Sequence, residues 1–127
     1  MIAIDTSSLR RFLAGENGGD VDAVRDAIEN GLAVLPPAVL CEVLSDPALP
    51  PSLAEDVANL PLLNIGEDYW LRAGLLRARV LKSGHKAKIA DALIAQSCID
   101  HQVPLVTHDR DFRHFARLGL TLFTAAR

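Results

Sequence analysis

Apolar residues recur along this chain in two rhythms. Short continuous runs, Met1-Ile2-Ala3-Ile4, Leu32-Ala33-Val34-Leu35 and Pro104-Leu105-Val106-Thr107, have the pattern of strands buried on both faces. Leu62-Leu63-Asn64-Ile65 and Thr121-Leu122-Phe123 predict two more. Between the runs, apolar positions three and four apart predict helices. Ser7 or Ser8 is expected to cap a short helix carrying Leu9, Phe12 and Leu13, which Gly15 closes. Asp20 is expected to cap the next, with Val21, Val24 and Ile28 on one face until Gly31. Pro37 suits the first turn of a helix through Val39, Leu40, Val43 and Leu44, and Pro50-Pro51-Ser52 opens another to about Asn59. A long helix follows, with Leu71, Leu75, Ala78 and Leu81 as its inner stripe, ending near Gly84. Lys86 to about His101 predicts a further helix with Ile89, Leu93 and Ile94 facing the core, and Phe112 to Leu118 a short one.

Short buried strands alternating with helices imply an α/β fold, a mainly parallel sheet of about four to five strands with helices on both faces. The length of 127 residues suits one domain spanning positions 1–127. No repeat, linker or low-complexity tract interrupts it. Aromatic residues make up only 5% of the chain, so the core must be aliphatic. Cys41 and Cys98 lie in apolar segments and read as buried, reduced thiols rather than a disulfide. No apolar run approaches the ~20 residues of a membrane span, and Met1 to Asp5 does not form a secretory leader. These features point to the cytoplasm.

The candidate chemistry lies in the acids. Asp5 directly follows the first strand, and Asp109 follows Thr107 by two residues, with Asp111 close behind. Ligands of open α/β sheets bind outside the carboxyl ends of the strands. Glu42 interrupts an apolar helix after the second strand, and Asp91 does the same within Ile89-Ala90-Asp91-Ala92-Leu93. Acids inside aliphatic runs are costly unless something neutralises them, which a divalent cation would do. Each has a plainer explanation. Asp109 or Asp111 caps a helix, Asp91 pairs with Lys88, or Glu42 occupies a solvated flank. It is their joint placement that points to a site. The four histidines (His85, His101, His108, His114) lack zinc spacing. A haloacid-dehalogenase phosphatase needs a second Asp where Ser7 stands, a receiver domain needs an acidic pair at the first strand end, and no glycine-rich turn follows a strand.

The net charge of −3 hides an uneven distribution. With five acids assigned to a site, thirteen basic residues face eleven acidic ones. Between Asp68 and Asp91 there is no acid at all, only Arg72, Arg77, Arg79, Lys82, Lys86 and Lys88 with His85. Arg72, Arg79, Lys82 and Lys86 fall at spacings that let them share one helix face, although Gly84 stands between Lys82 and Lys86. That face is either a track for phosphates or an ordinary solvated surface.

Four segments together resemble the PIN-domain nucleases, in particular the VapC-type toxins of prokaryotic toxin–antitoxin pairs. They are Met1-Ile2-Ala3-Ile4-Asp5-Thr6-Ser7, Val39-Leu40-Cys41-Glu42-Val43-Leu44, Lys88-Ile89-Ala90-Asp91-Ala92-Leu93-Ile94-Ala95 and Leu105-Val106-Thr107-His108-Asp109-Arg110-Asp111-Phe112. One departure is Pro36-Pro37, where relatives often carry a hydroxyl residue. The resemblance implies an endoribonuclease using Mg²⁺ or Mn²⁺. Asp5, Glu42, Asp91 and Asp109 would hold the metal directly or through water, with Asp111 a secondary acid. Thr6, Ser7 and Thr107 would orient water or the carboxylates. It also implies a homodimer and a small antitoxin partner. The rival reading is a catalytically silent PIN-like module that binds RNA or protein.

Overall fold

In the computed structural model, which describes residues 1–124, the strands are short and the helices dominate. The chain runs β1 (Ile2–Ile4), α1 (Thr6–Leu13), α2 (Gly19–Glu29), β2 (Ala33–Val34), α3 (Pro37–Leu44), α4 (Pro51–Ala58), α5 (Tyr69–Lys82), α6 (Ile89–His101) and β3 (Leu105–Val106). A 3₁₀ turn at Arg110–Phe112 then leads into α7 (Arg113–Ala116). The last three residues of the expected domain lie outside the described range.

All pairings are parallel, in the order β2-β1-β3, with Ala3 opposite both Val34 and Leu105. The two further strands expected from sequence shrink to single parallel bridges, Leu35 with Leu62 and Leu105 with Leu122. They extend the sheet to five positions. Adjacent strand residues point to opposite faces. Ala3 and Ile4 are both fully buried, as are Leu105 and nearly Val106, so helices cover the sheet on both sides. Phe112 and Phe115 join the aliphatic core. Among the described residues, no helix is long and apolar enough to cross a membrane.

Local expectations needed correction in several places. The residue preceding α1 is Asp5, and neither Ser7 nor Ser8 caps it; Ser8 instead donates to Asp20. Asp20 does not cap α2, which begins at Gly19; its carboxylate accepts from Ser8 and Arg11. Cys98 is buried, but Cys41 is exposed. Lys86 precedes α6 rather than lying in it, because Gly84 takes φ +84° just after α5 ends. Ile89 is exposed while Ile94 is buried.

The largest revision concerns α5. Its inner stripe is Tyr69, Ala73, Leu76 and Val80, and the expected Leu71, Leu75, Ala78 and Leu81 face outward. Both sets have helical spacing, so periodicity alone does not choose between them. The rotation is set by polar ties to α6 and the segment before it. The Tyr69 hydroxyl donates to the Leu93 carbonyl, Arg72 pairs with Asp100, and Arg77 donates to the Ala87 carbonyl at 2.7 Å.

Candidate active site

Because the strands are parallel, their carboxyl ends open on one edge, where loops turn into helices. Asp5 stands at the end of central β1 and is only 3% exposed. Its backbone N–H still belongs to the sheet, donating to the Val106 carbonyl at 2.9 Å. Its carboxylate oxygen Oδ2 accepts two hydroxyls, from Ser7 and from Thr107, each at 2.7 Å. Thr107 follows β3, so this one oxygen ties the ends of two neighbouring strands. Thr107 Oγ1 in turn accepts the Asp109 N–H at 3.0 Å, and Ser7 Oγ accepts the His108 N–H at 3.2 Å. The loop carrying Asp109 is thereby pinned to Asp5.

Glu42 reaches the same edge from α3. Thr6 donates its hydroxyl to Glu42 Oε1 at 2.6 Å, and Arg10 donates to the Glu42 carbonyl at 2.9 Å. Thr6 and Arg10 are four residues apart on α1 and share a face. Arg10 lies outside the acid-free stretch and is not among the residues expected from sequence. The i, i+4 spacing from Thr6 was the available signal. Asp91, in the first turn of α6, is 8% exposed. No ion pair joins it to Lys88 among the described residues, although the Lys88 charge acts on it.

Electrostatics show that these acids share a region. Burial, followed by the charges of Asp109 and Asp5, pushes the Asp91 carboxyl up to about 6; Lys88 opposes this and Glu42 adds to it. Burial also raises Asp5, against the hydrogen bonds of Ser7 and Thr107. Like charges gathered away from water hold protons more tightly. Asp109 also does what the plainer explanation required, accepting the Asp111 N–H at 2.9 Å to cap the 3₁₀ turn. Asp111 touches the cluster through that backbone bond, and its charge acts on His114 of α7.

Among the described residues no three carboxylate, histidine or cysteine groups already stand at metal-cage spacing. The donor set nevertheless suits one kind of ion. Every group is a hard oxygen, and the acids' mutual repulsion is what a cation relieves. Mg²⁺ keeps several waters and takes only one or two direct carboxylates, so wider spacing than a closed cage is compatible with it. The setting is open. Beside Asp109 lies a shallow cleft of about 340 Å³ lined by Thr107, His108, Arg110 and Arg113. A larger groove of about 420 Å³, with Arg10, Arg11, Val43 and Leu53, contains none of the clustered acids. Of the clustered acids, Asp109 lines this open cleft, while Asp5 and Asp91 lie buried behind it.

The basic residues divide. Arg72 is committed to Asp100 and the Glu67 carbonyl. Arg79 and Lys82 lie on the exposed last turn of α5, and Lys86 on the loop leading to α6.

A parallel α/β domain with acids gathered at its carboxyl edge is the architecture of a PIN domain, and this chain belongs to the PIN domain family, whose model matches residues 2–118. Among solved structures it is similar to VapBC2 from Rickettsia felis bound to a DNA fragment from their promoter. That likeness has a TM-score of 0.71 at 18% identity and covers 97% of this chain and 98% of that one. FitAcB from Neisseria gonorrhoeae gives 0.69 at 18% identity, covering 98% and 97%. VapBC-5 of Mycobacterium tuberculosis, from the VapBC family of toxin–antitoxin systems, gives 0.66 at 19% identity, covering 96% and 98%. No curated protein matches by sequence.

Proposed function

We propose that this chain is a metal-dependent endoribonuclease, the toxin of a type II toxin–antitoxin pair acting in the cytoplasm. The observation that carries the reading is the meeting of acids from separate segments at one edge of the sheet: Asp5 Oδ2 accepts Ser7 and Thr107, which in turn pin the loop of Asp109 beside it. In this reading Asp5, Glu42, Asp91 and Asp109 hold Mg²⁺ or Mn²⁺, directly or through water, and Asp111 is a secondary acid. The ion would supply an activated water and offset charge developing on the phosphate. The chain's own groups fix the geometry. Ser7 and Thr107 hold Asp5 Oδ2, and Thr6 holds Glu42 Oε1. No side-chain nucleophile is needed. Family likeness supports a homodimer, and the toxin–antitoxin systems among the structural neighbours support a small antitoxin partner.

The deciding experiment treats total cellular RNA with the purified chain in Mn²⁺ and in EDTA. Cleavage is expected only with the metal. Expression alone should arrest growth, and co-expression of the adjacent small gene product should relieve the arrest. A folded chain that leaves RNA intact in Mn²⁺ and is harmless in cells would make it a silent binding module.

The basic stretch supplies the backbone track in this reading, with Arg79 and Lys82 leading toward Lys86 and with Arg72 the least available member. Lys88, whose charge already acts on Asp91, lies two residues beyond Lys86. Replacing Lys86 and Lys88 together by Gln should lower the slope of log binding constant against log salt by about 0.7 for each lost contact with single-stranded RNA. An unchanged slope would show that these lysines are merely solvated.

A further inference from the structure

Two imidazoles outside the acid cluster lie face to face. His85, on the loop after α5, stacks on His114 of α7, with ring centroids 3.9 Å apart and planes 12° from parallel. The outer ring stands on fixed backbone. α5 closes with Gly84 at φ +84°; the Gly84 N–H donates to the Leu81 carbonyl at 3.0 Å and the His85 N–H to the Val80 carbonyl at 3.3 Å. This pair of bonds seals the helix end and sets the direction in which His85 leaves it. His85 is exposed and His114 half-buried, so His85 is the outer ring and His114 its support. Neither ring belongs to an ion pair among the described residues. Burial, then the charges of His85 and Arg113 and more weakly of Arg117, hold His114 below its ordinary value, against the charge of Asp111. His114 therefore stays neutral at pH 7 and backs its neighbour without adding charge.

The surroundings are basic. Lys82 and Lys86 lie on either side of His85 in the chain, and Arg113 and Arg117 on either side of His114. All four are exposed, with no ion-pair partner among the described residues. Arg117 lines a hollow of about 90 Å³ together with both rings. Arg113 lines the cleft beside Asp109, while its charge acts on His114. The basic border of the stack thus runs into the edge where the acids gather. The hollow is far smaller than the roughly 300 Å³ or more of a small-molecule site, so it does not enclose a free nucleotide. An open ring face bordered by cations suits instead one base of a strand whose phosphates are held on either side. We propose that His85, backed by His114, is the platform on which one unpaired base of single-stranded RNA stacks next to the acidic centre. The inference rests on the reading of the chain as a ribonuclease and adds how a strand is held there. Every base has a π face, so the platform fixes the position of the strand rather than its sequence.

Fluorescence anisotropy of a labelled, short single-stranded oligoribonucleotide, in EDTA at pH 8, reads the contact without cleavage. His85→Ala, at an exposed position, should keep the native circular-dichroism spectrum and weaken binding about 5- to 100-fold, the range for one stacked base. His85→Phe should restore binding to within a few-fold. Neither variant should change the salt slope, because no phosphate contact is lost. An abasic nucleotide walked along the strand should find one position with the same loss, and there His85→Ala should cost nothing more. Equal binding by His85→Ala and the wild type overturns the platform, and so does a His85→Phe variant as weak as His85→Ala. So do losses that add in full at every abasic position, the result expected of a ring that meets a protein or only solvent. Cleavage of RNA in Mn²⁺ by the same chains separates this inference from the reading beneath it. A wild type that cuts RNA, with a His85→Ala variant that binds and cuts equally well, removes the platform alone. A wild type that neither binds nor cuts RNA removes both.

Discussion

Asp91→Asn and Asp5→Asn should each lower metal-dependent RNA cleavage by about 10²- to 10³-fold while leaving the fold native. Asp91 is the more telling of the two. Its environment holds its proton tightly, through burial and then the charges of Asp109 and Asp5. A neutral amide of the same size removes repulsion, so loss of activity cannot be traced to loss of fold. Asn at position 5 keeps one carbonyl oxygen that, set where Oδ2 stands, can still accept both Ser7 and Thr107. Asp111→Asn provides the contrast. Its tie to the cluster is its own backbone N–H, which the substitution leaves in place, so activity should fall by no more than a few-fold. Initial rates on one RNA, with circular dichroism of each variant, decide the matter. Equal losses at positions 91 and 111 would dissolve the distinction, and wild-type rates at positions 5 and 91 would remove the site.

The second large effect is on stability, and its sign follows from the direction of the Asp91 shift. The folded value of about 6 lies above the ordinary 3.8, so the folded state binds the proton more tightly than the unfolded chain does. The associated stability is fully present below about pH 3.8 and is lost as pH rises through about 6. At pH 7 without metal the fold therefore carries a charge that is buried and repelled, a cost of roughly 1–2 kcal/mol after allowing for solvent screening. Asp91→Asn in EDTA should melt about 3–8 °C above the wild type. Excess Mn²⁺ should reverse the order, since a ligand at about 100 times its Kd adds about 2.7 kcal/mol to the state that binds it. Four melts, two proteins each with EDTA and with Mn²⁺, give the answer. A wild type indifferent to Mn²⁺, with a variant melting lower in EDTA, would mean that these carboxylates do not cooperate.

The sheet and the acid positions were legible for one reason: both are written locally. An apolar run that ends in an acid, as Ile2-Ala3-Ile4-Asp5 does, marks a strand and the ligand edge beyond it. Asp91 was legible because a charge in an aliphatic helix asks for a partner. What escaped was relational. Nothing in Tyr69 to Lys82 says which of two apolar stripes turns inward; Asp100, the Leu93 carbonyl and the Ala87 carbonyl decide that from elsewhere. Asp20 has the residue type of a cap, but Ser8 and Arg11 reach it first. Arg10 earns its place only through a carbonyl 32 positions away. Cys41 sits in an apolar sequence on an exposed turn of α3, where flanking Leu40 and Val43 do the packing.

The pair of hydrogen bonds that Asp5 Oδ2 accepts joins parts of the chain far apart in sequence. Thr107 is separated from Asp5 by 102 positions, and β1 pairs with β3 across the same gap. Closing so long a loop costs more chain entropy than forming the local helices within it. A chain caught partway through folding would hold its secondary structure while Asp5 and Asp109 were still apart. In the proposed function, a molecule in which this distant pairing has not closed would lack its assembled acidic centre.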